Sequence, residues 1–122
     1  MKKIDSFSAA DGHIESILIG AWQIKISFQT WDSRQLVLIF NDVDNVISSE
    51  AVYYDIDTYH IEQIDNDKFC YTFYSSDELK VILKIYAGKM EIYETGKVAS
   101  DINSALFDVG YEYIGDQTYS FK

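Results

Sequence analysis

Trp22-Gln-Ile-Lys-Ile-Ser-Phe-Gln29 is the stretch that decides how this chain folds. Trp22, Ile24, Ile26 and Phe28 alternate with Gln23, Lys25, Ser27 and Gln29. Successive side chains of a strand point to opposite faces, so the pattern predicts a strand with one dry face and one wet face. Downstream, Trp31-Asp-Ser-Arg34 reads as a turn. Leu36-Val-Leu-Ile-Phe40 is then apolar on both faces, which predicts a central strand covered on two sides and ended by Asn41-Asp42. Val43 to Ile47 fits a short acidic strand. Upstream, His13 to Ile19 opens the sheet and turns at Gly20 into the Trp22 strand.

The same period recurs further on. Phe69, Tyr71 and Phe73 alternate with Cys70, Thr72 and Tyr74. Ser75-Ser-Asp-Glu78 predicts a hairpin turn, after which Leu79, Val81, Leu83 and Ile85 alternate with Lys80, Ile82, Lys84 and Tyr86. Ala87-Gly88-Lys89 predicts a second tight turn, with Gly88 free to take a positive φ. Met90, Ile92 and Tyr93 continue a third strand, so the three segments are expected to form a meander. Val52, Tyr54, Ile56 and Thr58 alternate, but Ile61 and Ile64 do not continue that face. A strand leading into an irregular loop is expected there, with Asp55, Asp57 and Tyr59 together on the face opposite Tyr54 and Ile56.

One segment breaks the pattern. Val98, Ile102, Ala105 and Leu106 fall at helical spacing, with Ser100 or Asp101 as N-cap and Gly110 as stop, which predicts a helix near residues 99–108. Tyr111 to Ile114 returns as a strand. The expected fold is mainly β: a single-domain antiparallel β-sandwich, or a strongly curved sheet or barrel, spanning 1–122 with one short helix near the C-terminus. About seven to nine strands are expected. The expected core is Trp22, Ile24, Ile26, Phe28, Leu36, Leu38, Phe40, Phe69, Tyr71, Phe73, Val81, Leu83 and Ile85.

Composition agrees. The chain has 122 residues, 48% of them hydrophobic and 16% aromatic, which suits one globular domain rich in strands and excludes disorder. Cys70 is the only cysteine, so no internal disulfide can form, and its place in a strand pattern makes it a small packed hydrophobe. Met1-Lys-Lys-Ile-Asp-Ser-Phe-Ser8 lacks the apolar stretch of a signal peptide, and no run approaches the ~18 apolar residues of a membrane span. A soluble cytoplasmic protein is expected.

Charge is the strongest functional signal. From Asn41 to Asp67 there are eight acidic residues and no Lys or Arg: Asp42, Asp44, Glu50, Asp55, Asp57, Glu62, Asp65 and Asp67. A second base-free run adds Asp101, Asp108, Glu112 and Asp116. The rest of the chain holds eight acids against ten bases, so the net charge of -10 arises in these two runs. Such a field attracts a cationic partner and disfavours nucleic acid and anionic membrane.

Catalytic patterns are weak by comparison. His13 and His60 are the only imidazoles, and nothing around Cys70 or any serine resembles a nucleophile elbow. Asp55-Ile-Asp57-Thr-Tyr-His60, Asp65-Asn-Asp67 and Asp11-Gly-His13 have metal-ligand types, but the first two lack the glycine and terminal glutamate of a calcium loop, and solvated turns account for all three. No Gly-rich phosphate loop is present. No catalysis, no cofactor and no metal are expected. The site expected is a binding surface: Asp42, Asp44, Asp55, Asp57, Glu62, Asp65 and Asp67 for Lys or Arg, with Tyr53, Tyr59 and His60 as contact area. The alternative is a small-molecule or carbohydrate-binding β-domain that stacks ligands on Trp22, Trp31 or the tyrosines.

A small, acidic, mainly-β chain without a catalytic motif resembles the immunity proteins of bacterial contact-dependent inhibition and polymorphic-toxin systems. Asp11-Gly-His-Ile-Glu-Ser-Ile17, Trp31 and Leu36-Val-Leu-Ile-Phe-Asn-Asp-Val43 carry the resemblance, over about the first third of the chain. These proteins share no single signature, so no residue roles transfer. The resemblance implies a cytoplasmic protein that binds a cognate toxin and blocks its active site. Many such toxins are basic nucleases, which would explain the acidic segment.

Overall fold

The computed structural model describes residues 1–49, 51–52, 54–77 and 79–121. The alternating stretch forms strand β3 (Gln23–Gln29), and Ile24, Ile26 and Phe28 on its dry face are fully buried. Burial of one such side chain contributes roughly 1.5–3 kcal/mol. An exposed ion pair such as Arg34–Glu94, 2.6 Å apart, is screened by water and contributes far less. Alternation, and not charge, therefore sets the fold.

Around β3 the described residues form β1 (Lys2–Ile4), β2 (Gly12–Gly20), β4 (Gln35–Phe40), β5 (Asn45–Ser48), β6 (Asp55–Asp65), β7 (Lys68–Ser75), β8 (Val81–Ala87), β9 (Met90–Thr95), helix α1 (Ala99–Asp108), β10 (Glu112–Tyr113) and β11 (Thr118–Ser120). They build one open, curled antiparallel sheet in the order β1-β9-β4-β3-β2-β6-β7-β8-β5-β11, with β10 also paired to β2. The mainly-β class and the short C-terminal helix are as the sequence predicts. The strand count is higher than expected, because β1, β10 and β11 are short additions of three residues or fewer with little alternation to read.

The curl folds one half of the sheet over the other. Phe40 of β4 meets Tyr71 of β7 edge to face at 5.0 Å, and Phe7 bridges Phe28 and Tyr59 at 5.2 and 4.9 Å. Between the halves lies the main core, which includes Leu36, Leu38, Phe73, Leu83 and Ile85. β4 is a central strand covered on both sides, as its doubly apolar sequence requires. Leu36, Leu38 and Phe40 face the core, and Val37 and Ile39 line a groove with Ile102 and Leu106 of α1.

Three expected core residues fall elsewhere. Trp22 is 56% exposed, because it lies in the tight turn between the paired residues Gly20 and Gln23 at φ 61 and so leaves the strand parity. Val81 is 42% exposed, because an extra residue on β8 shifts the register so that Phe73 faces Leu83 and Tyr74 faces Val81; Ile82 is buried instead. Phe69 is half-buried at the rim.

The expected meander of β7, β8 and β9 also needs correction. β7 and β8 form a hairpin, but β9 pairs with β4 and β1 on the other half. Gly88 does not take a positive φ. It is needed for close approach: its N–H donates to Asn41 O at 2.8 Å, and a Cβ there would lie 3.1 Å from that oxygen. The Tyr71 hydroxyl donates to Gly88 O at 2.8 Å and accepts from Met90 N at 2.9 Å, pinning the crossover to β7. In α1 the N-cap is Val98 without a side-chain cap, so Ser100 and Asp101 lie inside the first turn. Gly110 does end the helix, at φ 95. The face α1 buries carries Asn103 and Leu106, and Asn103 is paired on both sides: Ser16 Oγ donates to it at 2.9 Å and it donates to the Tyr113 hydroxyl at 3.1 Å.

Candidate functional site

Most of the expected binding residues lie on the hairpin of β6 and β7. β6 runs unbroken to Asp65, where an irregular loop was expected. The cause of the misleading pattern is a bulge: Ile56 pairs with Ser75 and Thr58 with Tyr74, which leaves Asp57 as an extra residue. Beyond it the parity is reversed. Tyr59 therefore turns inward, stacked 4.9 Å from Phe7 and 5.6 Å from Phe73, and burial raises its phenol pKa. It does not share a face with Asp55 and Asp57, as expected, but leaves them. His60 takes the outer face, its ring edge-on to Tyr74 at 5.8 Å.

Asp55, Asp57, His60, Glu62, Asp65 and Asp67 are all exposed. No ion pair joins Asp55, Asp57, Glu62 or Asp67 to a base among the described residues. They are spread out: at about 3.3 Å per residue, Asp55 and Asp65 stand roughly 30 Å apart at opposite ends of the strand. Asp65 also has a local task, since its carboxylate accepts the Asn66 N–H at 2.7 Å and closes the hairpin turn.

Asp42 and Asp44 sit at the β4–β5 connection and are partly compensated. Lys68, the first residue of β7, donates from its amine to Asp42 O at 2.6 Å and lies 3.4 Å from the Asp44 carboxylate. The base missing from residues 41–67 thus stands one residue beyond them. Tyr53 and Glu50 lie outside the described residues. The second acidic run is carried by α1, β10 and the connection after it, with Asp101, Asp108, Glu112 and Asp116 exposed.

Other candidates are placed as follows. The Cys70 thiol is buried, 3.7 Å from the Thr72 hydroxyl. Among the described residues no group of three or more His, Cys, Asp or Glu stands close enough to hold a metal ion. His13 pairs in register with Asp55 across β2 and β6, which joins two of the three sequence clusters without completing a ligand set. Trp22 and Trp31 are both exposed but flank the two ends of β3, about 30 Å apart, so they form no joint stacking platform. Among the described residues no helix is long and apolar enough to cross a membrane.

Sequence reasoning missed the interior side of the hairpin. Ile61 and Ile64 are 50% and 54% exposed. Ile61 lines a cavity of about 230 Å³ with Tyr59, Phe69, Tyr71, Met90 and Ile92, and its charged lining is one acid, Asp5, and one base, Lys89. The signal available was Ile61, out of phase with Ile56 in the strand before it. No family model matches this chain, and no curated protein and no solved structure matches it.

Proposed function

We propose that this protein is an immunity protein: it binds a basic toxin domain, of nuclease type, in the cytoplasm and neutralises it through the acidic β6–β7 hairpin. The observation that carries the reading is the run of five exposed acids along that hairpin, Asp55, Asp57, Glu62, Asp65 and Asp67, with Lys68 turned away to Asp42 and Asp44. A strand that needed only to stay soluble or avoid edge pairing would commonly carry Lys. One sign of charge over so long a surface instead speeds encounter with a cation and rejects anionic partners. His60 with Tyr74 beside it supplies apolar contact area on the same outer face.

The test is the pair Asp55→Lys with Asp57→Lys. Both side chains are solvated, so the variant folds as the wild type does. Cells expressing the toxin encoded beside this protein should lose protection, and affinity for that toxin should fall about ten- to a hundredfold, chiefly in the on-rate at low salt. Undiminished protection with unchanged binding would leave the hairpin acids as a solubilising face and end the proposal.

A further inference from the structure

Among the described residues the backbone of β6 carries an unused hydrogen-bonding edge. Among the described residues β2 pairs with β6 at Gly12–Ile56 and His13–Asp55 and from there runs away from Tyr59–Gln63, so the chain beside that stretch is residues 5–11, of which Asp11 N donates to Ile56 O at 2.9 Å and the Phe7 ring stacks on Tyr59 at 4.9 Å. The ladder fixes which groups beyond that point face outward. Tyr86 gives its carbonyl to Asp44 N at 2.8 Å on the β5 side, so its neighbour Ile85 turns its backbone groups to Tyr71 on β7. Tyr71 is then committed to β8, and its β6 partner Ile61 turns its N–H and C=O away from β7. The same parity turns out Tyr59 and Gln63. Among the described residues no backbone hydrogen bond reaches these groups; only the Thr58 hydroxyl stands 3.4 Å from the Tyr59 carbonyl.

We infer that this edge, Tyr59 to Gln63, takes up an extended segment of a partner protein as an added strand, a segment that alternates apolar and basic residues. The inference rests on the proposed basic partner and says how it is held. A strand laid on the edge points alternate side chains inward, over Ile61 and toward the cavity edged by Phe69, Met90 and Ile92. Its other side chains point outward beside Asp57 and Glu62, both exposed and without an ion pair among the described residues. A second copy is the wrong occupant by charge, since it would set an acidic edge lacking any Lys or Arg against itself.

The experiment uses the full chain, isotope-labelled, and a peptide of about ten residues alternating Val and Lys. Hydrogen exchange at the Tyr59, Ile61 and Gln63 amides should slow by about tenfold or more on binding, while Thr58, His60 and Glu62, already bonded to β7, change little. A Val–Glu peptide should not bind. Ile61→Pro, which deletes an outward N–H and spares the β7 ladder, should weaken the Val–Lys peptide by about tenfold, and Ile61→Thr by less than about threefold. If the proline variant does not fold, the amide exchange alone decides. Binding of the Val–Lys peptide without slowing of those three amides overturns the edge site and leaves the basic-partner reading standing. Equal binding of a Val–Thr peptide at the edge overturns the charge requirement, and with it the basic partner. Slowing that depends on protein concentration and needs no peptide assigns the edge to a second copy and overturns the inference.

Discussion

Removing one oxygen from Tyr71 tests how the two halves of the sheet are joined. Tyr71 is 2% exposed, and its hydroxyl makes two bonds to the β8–β9 crossover, to Gly88 O at 2.8 Å and from Met90 N at 2.9 Å. Tyr71→Phe keeps the ring and its 5.0 Å contact with Phe40, so only these bonds are lost. A net intramolecular hydrogen bond contributes about 0.5–1.5 kcal/mol, and a buried polar group left unpaired costs about 1–3 kcal/mol. Gly88 is buried and cannot recruit water, whereas Met90 is only half-buried and can. The loss should be about 2–4 kcal/mol, a large share of the 5–15 kcal/mol typical of a domain. In urea, with a slope of about 1–3 kcal/mol per molar, the midpoint should fall by about 1–2 M with the slope unchanged. Tyr93→Phe is the control: its hydroxyl bonds the nearby Glu91 carboxylate at the half-exposed surface, and its loss should leave the urea midpoint nearly unchanged. If the two variants lose equally little, the crossover is not held by Tyr71 and the reasoning is wrong.

Ile26→Asp should abolish folding, since Ile26 is fully buried and an unpaired buried charge costs several kcal/mol; a cooperative, near-normal melt would remove the core assignment. Alkaline pH should destabilise the fold: burial raises the phenols of Tyr59, Tyr71 and Tyr111 above their ordinary value of 10.0. A raised folded value means that this stability is fully present below about pH 10 and is lost as pH rises through the folded values. Urea midpoints measured across that range should fall, and a flat midpoint through the phenolate absorbance change would refute the assignment.

Much of the fold is legible in residues of strict alternation. Ile24, Ile26 and Phe28 read correctly because an uninterrupted strand has one period and one buried face. The failures sit where a single residue changes that period. Asp57 is an extra residue, so Tyr59 lands on the face opposite the one that counting assigns. Trp22 continues the alternation in sequence but occupies a turn, so its side chain is released to solvent. Gly88 looks like a hairpin glycine, yet nothing local could reveal that Asn41 lies 3.1 Å from where its Cβ would stand. Strand partners are non-local, and the choice of β4 over β8 for β9 is made by packing across the core. The charge of the candidate site was legible in the same partial way: the acids could be counted, but Lys68 compensates Asp44 only in space.

The acidity of β6 and its open edge explain each other. An edge five residues long that is unpaired among the described residues, with Ile61 and Ile64 half in water, is the kind of surface that pairs with copies of itself. A lysine on the edge would suppress that pairing, but it would also repel a cationic partner. Asp57, Glu62 and Asp65 suppress it equally well, because two such edges brought together repel, and they leave one class of segment that gains from docking. The selectivity comes from what the edge excludes as much as from what it attracts. On this reasoning Glu62→Lys, whose side chain lies on the outer face between the outward-turned backbone groups of Ile61 and Gln63, should do two things at once. It should weaken the Val–Lys peptide by about tenfold at low salt, and it should leave the fold unchanged, since Glu62 is exposed and unpaired among the described residues. Calorimetric titration against the peptide, with a urea melt as the folding control, reads both. Unchanged affinity would show that backbone pairing alone selects the segment and that the acids of β6 take no part in the choice.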